Sequence, residues 1–230
     1  RQPYGQKLCF ESVDEDVDSR PLTIKGSVQL VHASGLSVIS DIDDTVKLTN
    51  VADRRELLAN TLLREFVPIP DMVDLYERWS LSGAAFHYVS ASPWQLTRPL
   101  NDFFHSVGLP DGSMHLKLFG LKDSTPLGRM RSSKKSKQDV IIEIIDHFPN
   151  RKFILVGDSG ERDPEVYAKV AQQRRNQIAG IAILRVPSRR SKQKTEYALR
   201  NLAQTVPKER LRVFISADEI SDLVSPKETI

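Results

Sequence analysis

Apolar segments the length of a strand alternate with helix-like segments along most of the chain. Strand-type runs occupy residues 36–41, 84–90, 114–119, 153–157, 178–186 and 211–215. Helical patterns occupy residues 56–66, 71–79, 95–107, 139–148 and 164–175. Buried parallel strands read as continuous apolar runs and are joined by helices. The alternation therefore predicts an α/β fold, with a mainly parallel sheet covered by helices on both faces.

Composition and cysteine content limit the class of protein. The chain has 230 residues, 40% of them hydrophobic and 27% charged, which is typical of a globular protein. Its single cysteine, Cys9, excludes a disulfide framework and indicates a reducing, cytosolic environment. No apolar run reaches the roughly 18 residues of a transmembrane helix. Because the chain opens at Arg1 and not at Met, we interpret it as a piece of a longer protein.

Positive charge is concentrated in two segments, although the net charge of +3 is too small to indicate nucleic-acid binding. Residues 117–137 contain seven basic side chains and one acidic side chain, and residues 185–194 contain five basic and no acidic ones. Both segments have the composition of loops. A basic surface suits an anionic substrate or membrane, and it equally suits a solvated loop, so charge alone leaves both interpretations open.

Polar side chains follow the ends of the predicted strands, where ligands bind in parallel α/β sheets. Asp41 and Asp43 follow the first core strand, and Ser90 follows the second. Lys137 opens a helix, with Lys134 and Lys135 as close competitors for the same role. The strand at 153–157 leads into GDSGERD, which supplies Asp158 and Asp163. Together these residues form the hypothesis of a single site at one edge of the sheet.

The residue types indicate phosphoryl transfer. Asp41 and Asp43 are two residues apart, so on an extended strand their carboxylates point the same way. With Asp158 they form an oxygen cage suited to Mg²⁺. Ser90 and the backbone N–H groups of a helix beginning near Pro93 suit a phosphate, and a lysine stabilises its charge. A carboxylate nucleophile beside a metal is typical of chemistry through an aspartyl phosphate.

The same residues allow other interpretations, some of which the sequence argues against. Ser92 fits an N-cap for the helix at 95–107, and Asp163, which precedes Pro164, fits an N-cap as well as an acidic partner of the metal. GDSG also occurs around the serine of trypsin-like proteases, but a buried parallel-type strand before it argues against that class. A response-regulator receiver domain also uses clustered aspartates, a serine or threonine and a lysine, but its length of about half this chain argues against that class. The five histidines show no ligand spacing for zinc.

SVISDIDDTVK, YVSASPWQL and FILVGDSGERDPEVY resemble the catalytic domain of the fungal actin-patch-associated phosphatidate phosphatases, which are haloacid dehalogenase-like enzymes with lipin-like motifs. The resemblance covers roughly residues 22–222. It implies a Rossmann-like haloacid dehalogenase fold, an N-terminal extension with one or more strands at 1–34, and a phosphatase catalytic domain at 35–224. The segment between Asp41 and Ser90 has only about fifty residues, so we expect no large cap there and an open site. Asp44 departs from the superfamily, in which glycine is common at that position.

The resemblance implies a role for each matching residue. Asp41 attacks phosphorus, and Asp43 protonates the departing glycerol oxygen and then activates water. Ser90 and Lys137 bind the phosphoryl group. The implied ligands of the Mg²⁺ cofactor are Asp41, Asp43, Asp158 and Asp163.

The function expected from the sequence is Mg²⁺-dependent hydrolysis of phosphatidate to diacylglycerol and phosphate. The expected partners are anionic phospholipid at a membrane surface and cortical actin or endocytic proteins, and nucleic acid is not expected as a partner. The expected location is the cytoplasm, either peripherally on a membrane or at cortical actin patches. Two alternatives stay open: a phosphatase of the same type acting on another phosphate ester, and a non-catalytic module that recruits cortical actin or endocytic proteins.

Overall fold

The structure, a computed structural model, describes five stretches of the chain: residues 6–14, 22–48, 66–117, 136–187 and 191–224. Two sequence predictions lie outside these stretches. One is the helix at 56–66, apart from its last residue, and the other is the absence of a large cap between Asp41 and Ser90. Lys134 and Lys135 lie outside them as well.

Ten strands and five α-helices are present in these stretches. The strands are β1 (Gln6–Asp14), β2 (Leu22–Leu30), β3 (Gly35–Ser40), β4 (Lys47–Leu48), β5 (Val67–Pro68), β6 (Ala85–Pro93), β7 (Gly112–Lys117), β8 (Arg151–Asp158), β9 (Ile178–Leu184) and β10 (Leu211–Phe214). The α-helices are α1 (Pro70–Leu81), α2 (Thr97–Val107), α3 (Lys137–His147), α4 (Asp163–Gln173) and α5 (Lys192–Thr205). Within the described residues, no helix has the length and apolar character that crossing a bilayer requires.

Six strands form the main sheet in the order β10-β9-β8-β3-β6-β7, and every neighbouring pair is parallel. The chain passes from β3 outward to β6 and β7, and then returns to β8 on the other side of β3. The direction of strand order therefore reverses between β3 and β8. In open α/β sheets, such a switch point marks where ligands bind beyond the carboxyl ends of the strands.

Helices cover both faces of the main sheet. Side chains alternate along each strand, so Val38 packs in a cluster with α1 and α2, whereas Ile39 packs in a cluster with α3, α4 and α5. Each fully buried apolar side chain of this size contributes roughly 1.5–3 kcal/mol through its removal from water. The predicted α/β fold, a Rossmann-like parallel sheet with helices on both faces, is confirmed.

The two smaller sheets are antiparallel pairs. Strand β1 pairs with β2, from Gln6 opposite Leu30 to Asp14 opposite Leu22. Strand β4 pairs with β5, with Leu48 opposite Val67. Strand β1 lies in a polar stretch whose sequence shows no clear strand pattern. The division into an extension at 1–34 and a domain at 35–224 stays a prediction.

Arg151, the first residue of β8, ties the start of β3 to the sheet. Its Nε donates to Ser37 Oγ at 2.8 Å, and its Nη1 donates to the carbonyls of His32 and Ser34, each at 2.7 Å. Its Nη2 donates to the carbonyl of Leu36. Because a buried guanidinium is costly unless its donors are paired, these bonds fix the path of the chain into the central strand.

Helix α5 falls partly in a segment for which the sequence predicted a loop. Ser191 caps the helix, with its hydroxyl accepting from the N–H of Lys194 at 3.4 Å. Leu199 and Leu202, three residues apart, are buried against the sheet. The basic residues at its start obscured this apolar spacing. After β10 the chain forms a 3₁₀ helix, Ala217–Leu223.

Candidate active site

Asp41 and Asp158 end the two strands that flank the switch point. Asp41 directly follows β3, and its N–H donates to the carbonyl of Val156 at 2.9 Å, so it extends the pairing with β8 by one residue. Asp158 is the last residue of β8. Both side chains are buried. The fold therefore brings two carboxylates together at the carboxyl edge of the sheet.

A third carboxylate, from Asp163, completes the group. Asp163 is the first residue of α4, and one oxygen from each of Asp41, Asp158 and Asp163 lies within 4.8 Å of the other two. Backbone groups fix the geometry: Asp158 Oδ1 accepts from the N–H groups of Gly160 at 2.6 Å and Glu161 at 2.9 Å. The N–H of Asp158 in turn donates to Asp163 Oδ2 at 3.3 Å. We call these three aspartates the carboxylate group.

Lys137 bridges the carboxylate group. It is the first residue of α3, whose N-cap Ser136 forms a capping box with Asp139 and so fixes where the helix begins. Lys137 Nζ donates to Asp41 Oδ1 at 2.7 Å and to Asp163 Oδ1 at 2.5 Å. Of the three lysines that the sequence left open, Lys137 is placed in the site, and the other two lie outside the described residues.

Burial raises the pKa of all three aspartates of the carboxylate group. It raises the pKa of Asp41 well above its usual value, and repulsion from Asp163 adds to this. Burial, with repulsion from Asp163, raises the pKa of Asp158 to about 7, and burial also raises the pKa of Asp163. Although burial alone would lower it, the ion pairs with Asp163 and Asp41 raise the pKa of Lys137. When all three carboxylates are ionised, the ammonium of Lys137 balances one of their charges, and two negative charges remain among the described residues of the group.

Two oxygens of the carboxylate group are suited to a divalent cation. Asp41 Oδ2 and Asp158 Oδ2 are buried and have no hydrogen-bond partner among the described residues. A buried acceptor left in this state costs about 1–3 kcal/mol, and more when it is charged. Mg²⁺ prefers carboxylate oxygens and would balance the two remaining charges. The residues present therefore fit a Mg²⁺ ion held by Asp41, Asp158 and Asp163.

Asp43 belongs to a second polar group on the β6 side of the site. Its Oδ2 accepts from Ser90 Oγ and from Ser92 Oγ, each at 2.9 Å, and its Oδ1 lies 2.7 Å from Lys47 Nζ. Burial alone would raise the pKa of Asp43, but the ammonium of Lys47 and the two hydroxyls lower it to about 2. The carboxylate of Asp43 lies outside the carboxylate group, and its assignment as a metal ligand stays a prediction.

A tight turn after Ile42 brings Lys47 back onto Asp43. The N–H groups of Val46 and Lys47 both donate to the carbonyl of Ile42 at 3.1 Å, and the N–H of Asp44 donates to the carbonyl of Lys47 at 2.7 Å. Asp44 has a φ of 54°, in the left-handed region. Aspartate and asparagine adopt this conformation more readily than most residues, which explains how Asp44 occupies a position where glycine is common.

Two interpretations of the sequence are wrong. Ser92 is not the N-cap of the following helix, because it lies within β6 and its hydroxyl donates to Asp43. The helical segment itself does begin near Pro93, because a 3₁₀ helix at Trp94–Leu96, with Pro93 as its N-cap, leads directly into α2 at Thr97. Asp163 is not an N-cap either: Arg162 takes that position in α4, and the carboxylate of Asp163 contacts Lys137 instead.

Gly157, which directly precedes Asp158, lets the carboxylate group pack closely. A Cβ added to Gly157 would lie 2.1 Å from Asp163 Oδ2 and 2.7 Å from the hydroxyl of Tyr167. That hydroxyl donates to the carbonyl of Val156 at 2.8 Å. Three residues of this site were not predicted from the sequence: Gly157, Lys47 and Tyr167. A glycine at the end of an otherwise apolar strand was a usable signal, because it marks close approach to the backbone.

Replacing Gly157 with alanine should displace Asp163 from Lys137. We expect Gly157→Ala to weaken Mg²⁺ binding about 10- to 100-fold, as substitutions that disturb the support of metal ligands do. Crowding should also lower the free energy of unfolding by about 1–3 kcal/mol. Calorimetric Mg²⁺ titration and urea unfolding measure the two effects. Gly180→Ala is the control, because its added Cβ would come no closer than 3.7 Å to other atoms; equal results for both variants would contradict this role of Gly157.

Fold and site define this chain as a Rossmann-like α/β protein with a buried, lysine-bridged carboxylate site at the carboxyl edge of its sheet. Residues 36–185 match the family described as the catalytic domain of phosphatidate phosphatase APP1. The phosphatidate phosphatase APP1 of Saccharomyces cerevisiae is 36% identical over 167 residues, which are 71% of this chain and 28% of that protein. The chain therefore belongs to the family of APP1 catalytic domains.

Two further proteins are similar to this chain. An uncharacterised protein of Schizosaccharomyces pombe is 33% identical over 191 residues, which are 80% of this chain and 31% of that protein. The chain thus spans less than a third of the length of either yeast relative. A solved structure of an uncharacterised Listeria monocytogenes protein has a TM-score of 0.53 at 12% identity, covering 81% of this chain and 95% of that one. This last likeness shows a shared fold alone.

Proposed function

We propose that this chain carries the catalytic site of a Mg²⁺-dependent phosphatidate phosphatase, which hydrolyses phosphatidate to diacylglycerol and phosphate through an aspartyl-phosphate intermediate. The observation that most supports this proposal is the contact between Lys137 Nζ and Asp41 Oδ1, at 2.7 Å, within the buried carboxylate group. A carboxylate, an ammonium and a divalent-ion site are the groups that phosphoryl transfer uses. A relative that is 36% identical and named for this activity supports phosphatidate as the substrate.

Asp41 is the proposed nucleophile. Its backbone is fixed to β8, and Lys137 holds its Oδ1, while its Oδ2 has no partner among the described residues. Attack forms a bond between a carboxylate oxygen of Asp41 and phosphorus, and breaks the bond between phosphorus and the glycerol oxygen. Water then attacks phosphorus, which releases phosphate and restores the carboxylate. Positioning of this kind removes much of the entropic barrier to the first step.

Asp43 is the proposed acid and then base. With a pKa lowered to about 2 by Lys47 and the serine hydroxyls, against the effect of burial, it is ionised in the arrangement described. The ionised form suits acceptance of a proton from water in the second step. Donation to the leaving oxygen in the first step requires the carboxyl group to leave Lys47 Nζ, because contact with an ammonium favours the ionised form.

Ser90 and Lys137 are the proposed binding groups for the phosphoryl oxygens. Ser90 Oγ is held between Asp43 Oδ2 and the N–H of Ser92, each at 2.9 Å, so its position is set before substrate arrives. Lys137 is anchored at the start of α3 and presents its charge beside the attacking atom. Donors fixed in advance cost little reorganisation as charge develops in the transition state.

The ligands that would hold Mg²⁺ are Asp41, Asp158 and Asp163. When bound, the ion supplies positive charge that balances the phosphoryl oxygens and orients them for displacement. The protein's own contribution is to bury these ligands and to hold them within 4.8 Å of one another.

Phosphate release with and without Mg²⁺ tests the proposed function. We expect hydrolysis of phosphatidate in detergent micelles with Mg²⁺, and a fall of about 100-fold or more with EDTA, because two buried charges then lack compensation. The rate with Mg²⁺ should exceed that on a soluble sugar phosphate. Faster hydrolysis of the sugar phosphate would assign the site to another ester, and a rate that EDTA leaves unchanged would contradict the metal proposal.

The proposed partner is anionic phospholipid, met from the cytoplasm at a membrane surface. An open site without a large cap, as the short segment between Asp41 and Ser90 predicts, would suit a lipid headgroup. The basic segments at 117–137 and 185–194 support an anionic surface as partner. Association with cortical actin patches and endocytic proteins is a further proposal, which rests on the resemblance.

A further inference from the structure

Three large apolar side chains are exposed near the candidate active site. Leu48 in β4 is 55% exposed, Val67 in β5 is 53% exposed, and Trp94, directly after β6, is 51% exposed. Leu48 and Val67 lie opposite each other in the antiparallel pair, so their side chains share a face. We call these three residues the apolar rim. Large apolar side chains that are exposed beside a functional site can mark a surface that meets a partner.

Both parts of the apolar rim border the same carboxylate, that of Asp43. Lys47, whose Nζ lies 2.7 Å from Asp43 Oδ1, directly precedes Leu48. Ser92, whose Oγ lies 2.9 Å from Asp43 Oδ2, precedes Trp94 by two residues. Leu48 and Trp94 are each only one or two residues along the chain from a side chain that contacts Asp43, and neighbouring Cα atoms are about 3.8 Å apart. Both parts of the apolar rim are therefore joined to the site by short stretches of chain.

Basic side chains accompany Trp94. Arg98 is exposed in the first turn of α2, four residues after Trp94. Lys117 is exposed at the end of β7, where its Cα is paired with that of Pro93, the neighbour of Trp94. Apolar and aromatic side chains next to cationic ones are typical of proteins that lie on anionic membranes, since tryptophan favours the headgroup layer.

We propose that the apolar rim inserts into the interfacial layer of an anionic phospholipid bilayer and holds the carboxyl edge of the sheet against it. The inference rests on the proposed function, because that function makes a membrane lipid the substrate. Asp41 is 2% exposed, so a phosphate that remains in a bilayer can approach it only if the carboxyl edge of the sheet is held against the headgroups. The positive charge beside Trp94 matches the sign of such a surface, and this complementarity favours a bilayer over a second copy of the chain.

Trp94 provides a direct reporter of insertion. The chain has two tryptophans, and Trp79 is buried in α1, so Trp79→Phe leaves Trp94 as the sole one. With EDTA present, we expect the emission of this variant to shift to shorter wavelength on phosphatidylcholine vesicles that contain phosphatidate. The matched Trp94→Phe variant, which retains Trp79, should show no shift. Unchanged emission from Trp94 at saturating vesicles would overturn the proposal.

Vesicle binding tests the rim as a whole. We expect the double variant Leu48→Ser with Trp94→Ser to partition about tenfold less onto these vesicles than the wild type. The ratio of its hydrolysis rate on vesicle phosphatidate to its rate on a soluble ester should fall by a similar factor. The control carries Leu81→Ser and Tyr197→Ser, at residues 74% and 75% exposed and outside the rim. Equal losses in both double variants, or no loss in the first, would overturn the proposal.

The outcomes separate this inference from the proposed function. If the wild type releases no phosphate from phosphatidate in detergent micelles, the proposed function fails, while the fluorescence and partition results still decide the role of the rim. Sedimentation in the absence of vesicles tests a second copy as the occupant. Self-association of the wild type that the rim substitutions abolish, without a change in vesicle binding, would overturn the proposal.

Discussion

Asp41→Asn should abolish phosphate release from phosphatidate while leaving the fold intact. Loss of a nucleophile typically lowers kcat by about 10³-fold or more, because the remaining groups cannot form the covalent intermediate. The amide keeps the shape of the carboxylate. Since burial raises the pKa of Asp41, the charged form is unfavourable there, and the neutral variant should unfold at the same or a higher urea concentration.

Asp44→Asn is the matched control for this variant. It makes the same chemical change three residues away, at a φ of 54° that asparagine tolerates. Its rate should stay within a few fold of the wild type. Phosphate release and urea unfolding are measured side by side for both variants. If the wild type is active, an unchanged rate in Asp41→Asn would contradict the assigned nucleophile. If the wild type itself shows no turnover, the non-catalytic alternative would be favoured.

Lys137→Met should have the second largest effect. The substitution removes the ammonium that lies 2.7 Å from Asp41 and 2.5 Å from Asp163, while keeping an apolar stem of similar length. Removing one fixed donor of this kind typically costs about 10²–10³ in kcat. Lys134→Met and Lys135→Met are the controls, since the sequence left all three lysines open. Loss of comparable size in either control, with Lys137→Met active, would contradict the assignment.

Lys137→Met should also make folding stability depend more strongly on pH. Burial, with Asp163, already raises the pKa of Asp158 to about 7, and Lys137 opposes this rise. A carboxyl group with a raised folded pKa favours the native state at low pH, and that contribution is lost as the pH rises through the folded value. Without Lys137, the folded pKa of Asp158 should rise further. In EDTA, the free energy of unfolding of the variant should therefore continue to fall above pH 7, where that of the wild type levels off. Parallel stability profiles for the two proteins would contradict this electrostatic role.

The main sheet could be predicted because its strands are apolar on both faces. Runs such as Phe153–Gly157 differ clearly from the amphipathic helices between them, and the ends of such strands locate the site by geometry. Asp41, Asp158 and Asp163 come together as expected, because β3 and β8 are neighbours in the sheet. The order of the strands in the sheet was not predicted, because the apolar pattern of each strand does not say which strands are neighbours.

The details of the site depend on contacts between residues far apart in the chain, which a local pattern does not contain. Ser92 has the sequence context of an N-cap, yet its hydroxyl reaches Asp43, 49 residues earlier. Lys47 is an ordinary basic residue until the turn after Ile42 brings it onto Asp43. Helix α5 was missed for a different reason, since its basic first turn hid the apolar spacing of Leu199 and Leu202.

The central claim is that Asp41 becomes covalently bound to phosphorus during turnover. Phosphatidate labelled in its phosphate is mixed with the wild-type chain and Mg²⁺, the reaction is quenched in acid, and the peptides are mapped by mass spectrometry. We expect one labelled peptide, modified at Asp41, and no label in the Asp41→Asn variant. Label on another side chain, or turnover with no label retained on the protein at the earliest times, would contradict the account.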